Sequence, residues 1–210
     1  ALAQNIPLQA GAAVRGSGPA FDALAESRAQ LEQVLAQPGA ADIGGEAGWT
    51  VLLEQAQAVL DGRPAALEAQ RAAAAVRELV PQLVAAAVGV AQAAGGERTD
   101  PLVLNLERVE LRAQAVEQDL TALASGAVPV EAASRRLTDS IAYIGQVVDS
   151  LNGEPTPLGI PGATGAVVEP ARVFGNVYRS ASEQVRVVLA LGDQLEQMQA
   201  ARNALAESGA

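Results

Sequence analysis

Residues 100–126 read DPLVLNLERVELRAQAVEQDLTALASG, and an apolar residue recurs there at every third or fourth position. This spacing lines one side of an α-helix with side chains that pack against neighbouring helices. An amphipathic helix of this length gains most of its stability from such packing, so the rest of the chain must supply partner helices. The members of the apolar stripe are Leu102, Leu106, Val109, Ala113, Val116, Leu120 and Leu123.

Both ends of this helix carry residues that start or stop helices. Asp100 offers a side-chain oxygen to the free N–H groups of the first turn, and Pro101 stands at the first helical position, where its missing donor costs nothing. Gly126 readily takes the left-handed conformation that ends a helix. The sequence therefore predicts one continuous helix between these two ends.

The overall composition predicts an all-α fold. Half of the residues are hydrophobic but only 2% are aromatic, so the core must be built from Ala, Val and Leu. Ala and Leu are strong helix formers, and the β-branched and aromatic residues that favour strands never gather into alternating runs.

The composition also excludes several kinds of chemistry. All 14 basic residues are Arg, and the chain has no Lys, His or Cys. An imidazole base, a thiolate nucleophile and the usual zinc ligands are therefore missing. The formal charge is −10, with no cluster of basic and aromatic residues, which argues against nucleic acid as a partner. We expect no enzymatic activity, no cofactor and no metal site.

The sequence shows no run of eighteen apolar residues and no basic-then-apolar leader, so we expect neither a membrane span nor a signal peptide in it. Both ends of the chain fall inside helical patterns. We therefore expect an excised soluble piece of a longer protein.

Further helices are predicted from their apolar spacing and from the Gly and Pro residues between them. Pro7 is expected to bend or start the first helix, and Pro81 to kink the fourth. Loops are predicted at Pro38-Gly39, at Gly44-Gly45 and at 154–166, which holds three Pro and three Gly. The predicted ranges are 2–14, 19–35, 46–60, 64–94 and 129–151, followed by an apolar stripe from 174 to 198.

That last stripe is interrupted by Gly192-Asp193. Asp193 and Glu196 have the spacing of a capping box, in which each side chain bonds a backbone N–H of the first turn. A turn at this point is at least as consistent with the sequence as one unbroken helix.

Two halves of the chain resemble each other. Trp49 with Glu54-Gln55 and Val59-Leu60 matches Tyr178 with Glu183-Gln184 and Val188-Leu189, always 129 residues later. Leu67-Glu68 also matches Leu195-Glu196. Ala3-Gln4, which precedes Gly16, matches Ala113-Gln114, which precedes Gly126. The sequence therefore predicts one four-helix unit written twice. The predicted architecture is two tandem up-down bundles, residues 1–95 and 100–210, joined end to end.

Several segments together resemble a known family. They are Leu2-Ala3-Gln4-Asn5-Ile6, Ala20-Phe21, Ser27-Arg28, Trp49 with Val59-Leu60, Leu79-Val80-Pro81-Gln82-Leu83, and Leu151-Asn152-Gly153. Their order and spacing resemble the periplasmic region of type IV pilus methyl-accepting chemotaxis transducers, the PilJ family, over nearly the whole chain.

This resemblance implies a sensor domain with two helical units that lies between two membrane spans outside this chain. It implies the periplasmic portion of an inner-membrane chemoreceptor that acts as a homodimer. The receptor would detect a pilus-linked signal, with the pilin subunit as a partner, and control twitching motility by signal transduction across the membrane.

The same unit is similar to nitrate-sensing domains of certain histidine kinases, in which arginine from the first helix meets the anion. In the second repeat, Arg108 and Arg112 stand one turn apart on the corresponding helix. They can clamp an anion, or they can form a solvated face with Glu107 and Glu110 as local partners. The first repeat has no Arg before Arg15, so nitrate itself is not carried over.

Gln55 and Gln184 occupy apolar-stripe positions in the two repeats. Each is either a core amide that fixes helix register or a residue that faces a ligand. With Arg108 and Arg112 they are the candidate residues for ligand or partner binding. Two alternatives to the chemoreceptor remain: a structural scaffold protein, and the small-anion sensor domain of a histidine kinase.

Overall fold

The computed structural model describes residues 2–37, 46–95 and 100–208, and within these ranges it contains helices and no strand. The predicted all-α class is confirmed. The helices are α1 Leu2–Val14, α2 Gly18–Leu35, α3 Glu46–Asp61, α4 Arg63–Ala94, α5 Pro101–Ala124, α6 Val130–Leu151, α7 Val168–Ala190 and α8 Gly192–Ser208, with a short 3-10 helix at Gly165–Val167 before α7.

Helix α5 follows the sequence prediction closely. The Leu102 N–H donates a hydrogen bond of 2.8 Å to Oδ1 of Asp100, and the helix begins at Pro101. Gly126 has a φ of +64°, the left-handed conformation that ends the helix. All seven residues of the predicted apolar stripe are buried, at 6% exposure or less. The stripe is therefore confirmed.

Helices α1, α2, α3, α4 and α6 begin and end within two residues of their predicted bounds, whereas α7 begins at Val168, ahead of the predicted stripe, and α8 continues past it to Ser208. Pro7 lies inside α1 and Pro81 inside α4, and neither ends its helix. A break at Leu191 separates α7 from α8, so of the two alternatives, a turn or one unbroken helix, the structure has the turn, although α8 already begins at Gly192. Asp193 therefore lies in the first turn of α8 and not ahead of it. The predicted loops at 38–39 and 44–45 lie outside the described residues.

The loop at 154–166 packs against the end of α6. The Ala163 N–H donates to the Leu151 carbonyl at 2.8 Å, and Ile160 is only 8% exposed. Ser150 and Thr156 are also joined by a hydroxyl hydrogen bond. The segment is thus an ordered connector within its unit.

The chain forms two compact units that follow different boundaries from the predicted ones. Unit 1 comprises Ala1–Gln70, Leu123–Val130 and Leu191–Ala210, and unit 2 comprises Arg71–Ala122 and Glu131–Ala190. Each unit is assembled from separate segments, whereas the sequence analysis predicts the contiguous bundles 1–95 and 100–210.

Helix α8 is the physical reason for this difference. It packs on α3 and α1 of unit 1 and buries Leu195, Met198 and Leu205 there. Gly62 makes room for this packing, since a Cβ at that position would lie 2.9 Å from the Met198 sulfur. The last helix of the second repeat therefore belongs to the same compact unit as the first three helices of the chain.

Each unit has its own apolar core. In unit 1, α1 packs on α2 and α8, and α3 packs on α8 and α2. Fully buried side chains in unit 1 include Ile6, Phe21, Leu24 and Val59, and those in unit 2 include Val109, Leu137, Ile144, Phe174 and Val185. Small aliphatic residues supply most of both cores.

Among the described helices, α4 alone is long and apolar enough, by length and composition, to cross a membrane. The sequence predicts no span, because it holds no unbroken run of eighteen apolar residues. In the structure 33% of the apolar window is buried. Buried α4 residues recur at steps of three and four, the pattern of a helix that buries one stripe in a bundle. The stripe consists of Ala69, Ala73, Val76, Val80, Leu83, Ala87 and Val90, and Ala65, Ala66 and Ala72 are buried beside it.

Candidate functional site

A groove in unit 2 lies between the C-terminal half of α4 and the first half of α5. Its volume is about 440 Å³, which falls in the range typical of small-molecule sites. The groove exists because α4 presents alanine side chains toward it where longer residues would fill the space. It is lined by Val84, Ala87, Val88, Ala91 and Gln92 of α4, by Gly95 directly after α4, and by Val103, Leu106, Glu107 and Glu110 of α5.

The groove combines an apolar floor with an acidic rim. Ala87 and Leu106 form the buried part of the lining, at 2% and 4% exposure, and Val88 is 45% exposed. Glu107 and Glu110 are exposed and stand one helical turn apart. Among the residues that the structure describes, no basic residue lines the groove and neither carboxylate forms an ion pair.

Arg108 and Arg112 lie on α5 outside the groove lining, and both are exposed. The guanidinium carbon of Arg112 stands 5.8 Å from the centre of the Tyr143 ring, within the range of a cation–π contact. Within residues 100–208, neither arginine is paired with Glu107 or Glu110. Anion binding by the two arginines stays a prediction.

Gln55 and Gln184 belong to different units, and each is half-buried. Beside Gln184, Val185 and Val188 are fully buried, so the apolar residues of α7 occupy the core and the amide lies at its margin. A ligand-facing role for either remains a prediction.

Asn105 is a buried polar residue that the sequence analysis does not single out. Its Nδ2 donates to the Pro101 carbonyl at 2.7 Å, and its Oδ1 accepts a 2.6 Å hydrogen bond from the Tyr143 hydroxyl. Both ends of the amide are therefore satisfied. In the sequence, Asn105 can be recognised as a polar residue among the apolar positions of α5. Its hydrogen bond to Tyr143 holds α6 against α5.

A second polar arrangement, which we call the Gln70 junction, lies in unit 1. Nε2 of Gln70 donates to the carbonyls of Arg15 and Ala124, each at 2.9 Å. These carbonyls belong to the ends of α1 and α5, where backbone acceptors have no partner within the helix. One amide therefore ties the start of α4 to the ends of two other helices.

An equivalent residue occurs in the second repeat. Gln199 follows the helix break at Leu191 by eight residues, as Gln70 follows the break at Gly62. Its Nε2 donates to the Val128 carbonyl at 3.3 Å, and Arg202 donates to the Gly126 carbonyl at 3.1 Å. Both repeats thus use a glutamine from their fourth helix to bond the chain near the end of a first helix, which agrees with the internal similarity of the sequence.

Tyr178 provides a test of the packing between α6 and α7. Its hydroxyl donates to the Ile141 carbonyl at 3.2 Å, and burial raises the pKa of Tyr178 above its usual value near 10. Folding therefore favours the neutral phenol. The stability that this gives is fully present below pH 10 and is lost as the pH rises through the higher pKa of the folded state.

We expect Tyr178→Phe to flatten this alkaline loss of stability. Urea unfolding at pH 7, 9, 10 and 11 should show the wild type losing more free energy of unfolding above pH 10 than the variant. At pH 7 and 9 the two proteins should differ by a constant amount of about 1 kcal/mol, the value of one hydrogen bond. Equal slopes above pH 10 would contradict the assignment.

No family model matches this chain, and no curated protein sequence does either. Within the described ranges, no group of three or more acidic side chains is arranged to hold a metal ion.

Proposed function

We propose that this chain is a sensory region of a PilJ-like chemoreceptor, the periplasmic portion of an inner-membrane protein. It would act as a homodimer, detect a pilus-linked signal such as the pilin subunit, and pass that signal on to control twitching motility. The family resemblance supports the identity of the signal. The all-helical structure and its repeated helix junctions support a role in transmitting a change in helix position.

We further propose that the two compact units are two four-helix bundles whose fourth helices are exchanged between the sequence repeats. Unit 1 contains α1, α2 and α3 with α8 of the second repeat, and unit 2 contains α6 and α7, nearly all of α5, and most of α4 from the first repeat. The packing of α8 on α3 and α1 supports this arrangement.

The Gln70 junction is the single observation that supports signal transmission most directly. Gln70 bonds the ends of α1 and α5, and α4 continues without a break from this point to Ala94. Helices of a packed bundle shift as rigid rods between discrete positions. A small shift of α1 or α5 would therefore move the start of α4, and the continuous helix would carry the movement along its length.

The test is Gln70→Ala in the complete gene product, with receptor methylation after surface contact as the readout. Each lost hydrogen bond is worth about 1 kcal/mol, so we expect the fold to survive and the methylation response to fall by at least half. Gln82→Ala is the matched control, because Gln82 is exposed and bonds only the Glu78 carbonyl of its own helix.

A full response of the Gln70 variant at equal receptor abundance would contradict transmission through the junction. The flanking sequence separates the receptor from the scaffold alternative. Membrane helices on both sides and a downstream coiled-coil methylation region would support the receptor, and their absence from the complete gene product would support the scaffold.

A further inference from the structure

We propose that the groove between α4 and α5 binds a small amphiphilic cation, an organic ammonium group attached to a hydrocarbon body. The inference goes beyond the sensory role, because it depends only on the residues of unit 2 and holds whether or not the chain belongs to a receptor.

The size of the groove favours a small molecule over a macromolecular partner. Its volume is about 440 Å³, and one side runs from Val84 on α4 to Gly95 directly after that helix, a length of roughly 16 Å at the helical rise. Stable protein partners cover about 800 Å² on each side, which is more than a groove of this length offers. A ligand with a ring or a short alkyl chain matches the available space.

The floor of the groove selects an apolar body. Val84, Ala87 and Ala91 of α4 face Val103 and Leu106 of α5 across it, and all five side chains are hydrocarbon. A ligand that covers this floor also removes the half-exposed Val88 side chain from water. Removal of apolar surface from water is the main favourable term in such binding.

The rim selects a positive charge. Glu107 and Glu110 lie side by side at the mouth of the groove, and neither is neutralised by an arginine within the described residues. The chain as a whole carries a formal charge of −10, which raises the local concentration of cations and repels anions. An ammonium group at the rim can also donate hydrogen bonds to both carboxylates.

This preference is opposite to that of an anion site at Arg108 and Arg112. Those arginines lie on the same helix but do not line the groove. The two hypotheses therefore predict ligands of opposite charge, and one titration series separates them.

The experiment uses the whole chain and three probes of the same shape, 2-phenylethylammonium, 2-phenylethanol and 3-phenylpropionate. We expect saturable binding of the ammonium probe by calorimetry, with a dissociation constant of about 1 mM or tighter. In amide NMR spectra its addition should shift the resonances of residues 84–95 and 103–110. The alcohol should bind at least ten-fold more weakly, and the carboxylate should not bind.

Two variants test the two halves of the site. Glu107→Gln with Glu110→Gln should weaken binding of the ammonium probe about ten-fold or more, since both rim charges are lost. Ala91→Leu should abolish binding by filling the groove; its position is only half-buried, so the fold should persist, which circular dichroism checks. Glu154→Gln with Glu183→Gln changes the net charge equally at exposed positions elsewhere in unit 2 and should leave binding unchanged.

Three results would each overturn the proposal. They are no saturable binding of the ammonium probe, equal binding of the ammonium and the alcohol, and undiminished binding when both rim glutamates are replaced. Resonance shifts confined to residues outside α4 and α5 would overturn it as well, because the cation would then bind at another place.

Discussion

Replacing Phe174 by alanine is expected to lower the free energy of unfolding by about 3–5 kcal/mol. Phe174 lies on α7, is 0% exposed and is one of only two phenylalanines in the chain. The surrounding core is made mainly of Ala, Val and Leu, and such short side chains cannot reach far enough to fill a ring-sized cavity. Domains of ordinary stability have about 5–15 kcal/mol in total, so this one change removes a large share.

Urea unfolding followed by circular dichroism measures the effect. Val173→Ala is the matched control, since Val173 is the preceding residue on α7 and is 43% exposed; its effect should stay within about 0.5 kcal/mol. The chain has one tryptophan, Trp49, and it lies in unit 1. Its fluorescence therefore follows the unfolding of unit 1. A loss of less than 1 kcal/mol for Phe174→Ala would show that Phe174 is not a central core residue of unit 2.

Gly126→Ala is expected to lower the free energy of unfolding by about 2–5 kcal/mol, the second large effect. Gly126 has a φ of +64°, and left-handed backbone costs a residue with a Cβ about 1–2 kcal/mol. A Cβ there would also stand 2.6 Å from Cγ1 of Val14, a side chain that is 1% exposed. Overpacking of this kind adds about 1–3 kcal/mol, because neither the turn nor α1 can move freely.

Gly153→Ala separates the two contributions. Gly153 has a φ of +87°, but a Cβ at that position meets nothing within 4 Å. This control should show only the backbone cost, so urea unfolding should find Gly126→Ala at least 1 kcal/mol more destabilising. If the two variants lost the same free energy, the close approach of Val14 to the turn would be refuted.

Local sequence patterns predict the helices of this chain well, because the signals for a helix lie within the helix itself. Asp100, Pro101 and Gly126 mark the two ends of α5, and the apolar stripe between them is buried as expected. The break before α8 is predicted in the same way from Gly192-Asp193. These features depend on backbone geometry and periodicity, which a few neighbouring residues determine.

The partner of each helix is much harder to predict. An apolar stripe shows which face of a helix is buried, but it does not show which other helix covers it. The stripe of α8 suits a C-terminal bundle as well as it suits unit 1, where α3 and α1 cover it. The small residue that admits Met198 is Gly62, and Gly62 also reads as a simple helix end.

The groove is unpredictable from sequence for a related reason. Ala87 and Ala91 read as ordinary residues of a closely packed helix, and only the position of α5 turns the space beside them into a cavity. Glu107 and Glu110 likewise read as local partners for Arg108 and Arg112. A sequence gives the charge at each position. Whether two charged side chains pair or point to different surroundings depends on how the helices pack.

The place of α8 in unit 1 has a consequence for biosynthesis. A ribosome makes α1, α2 and α3 well before α8, the helix that covers α1 and α3, because α8 begins more than 120 residues after α3 ends. Until then the apolar faces of α1 and α3 stay without this cover, while the helices of unit 2 are already complete. Unit 2 should therefore mature before unit 1 on the nascent chain, and a chaperone would find its binding surface on α1 and α3.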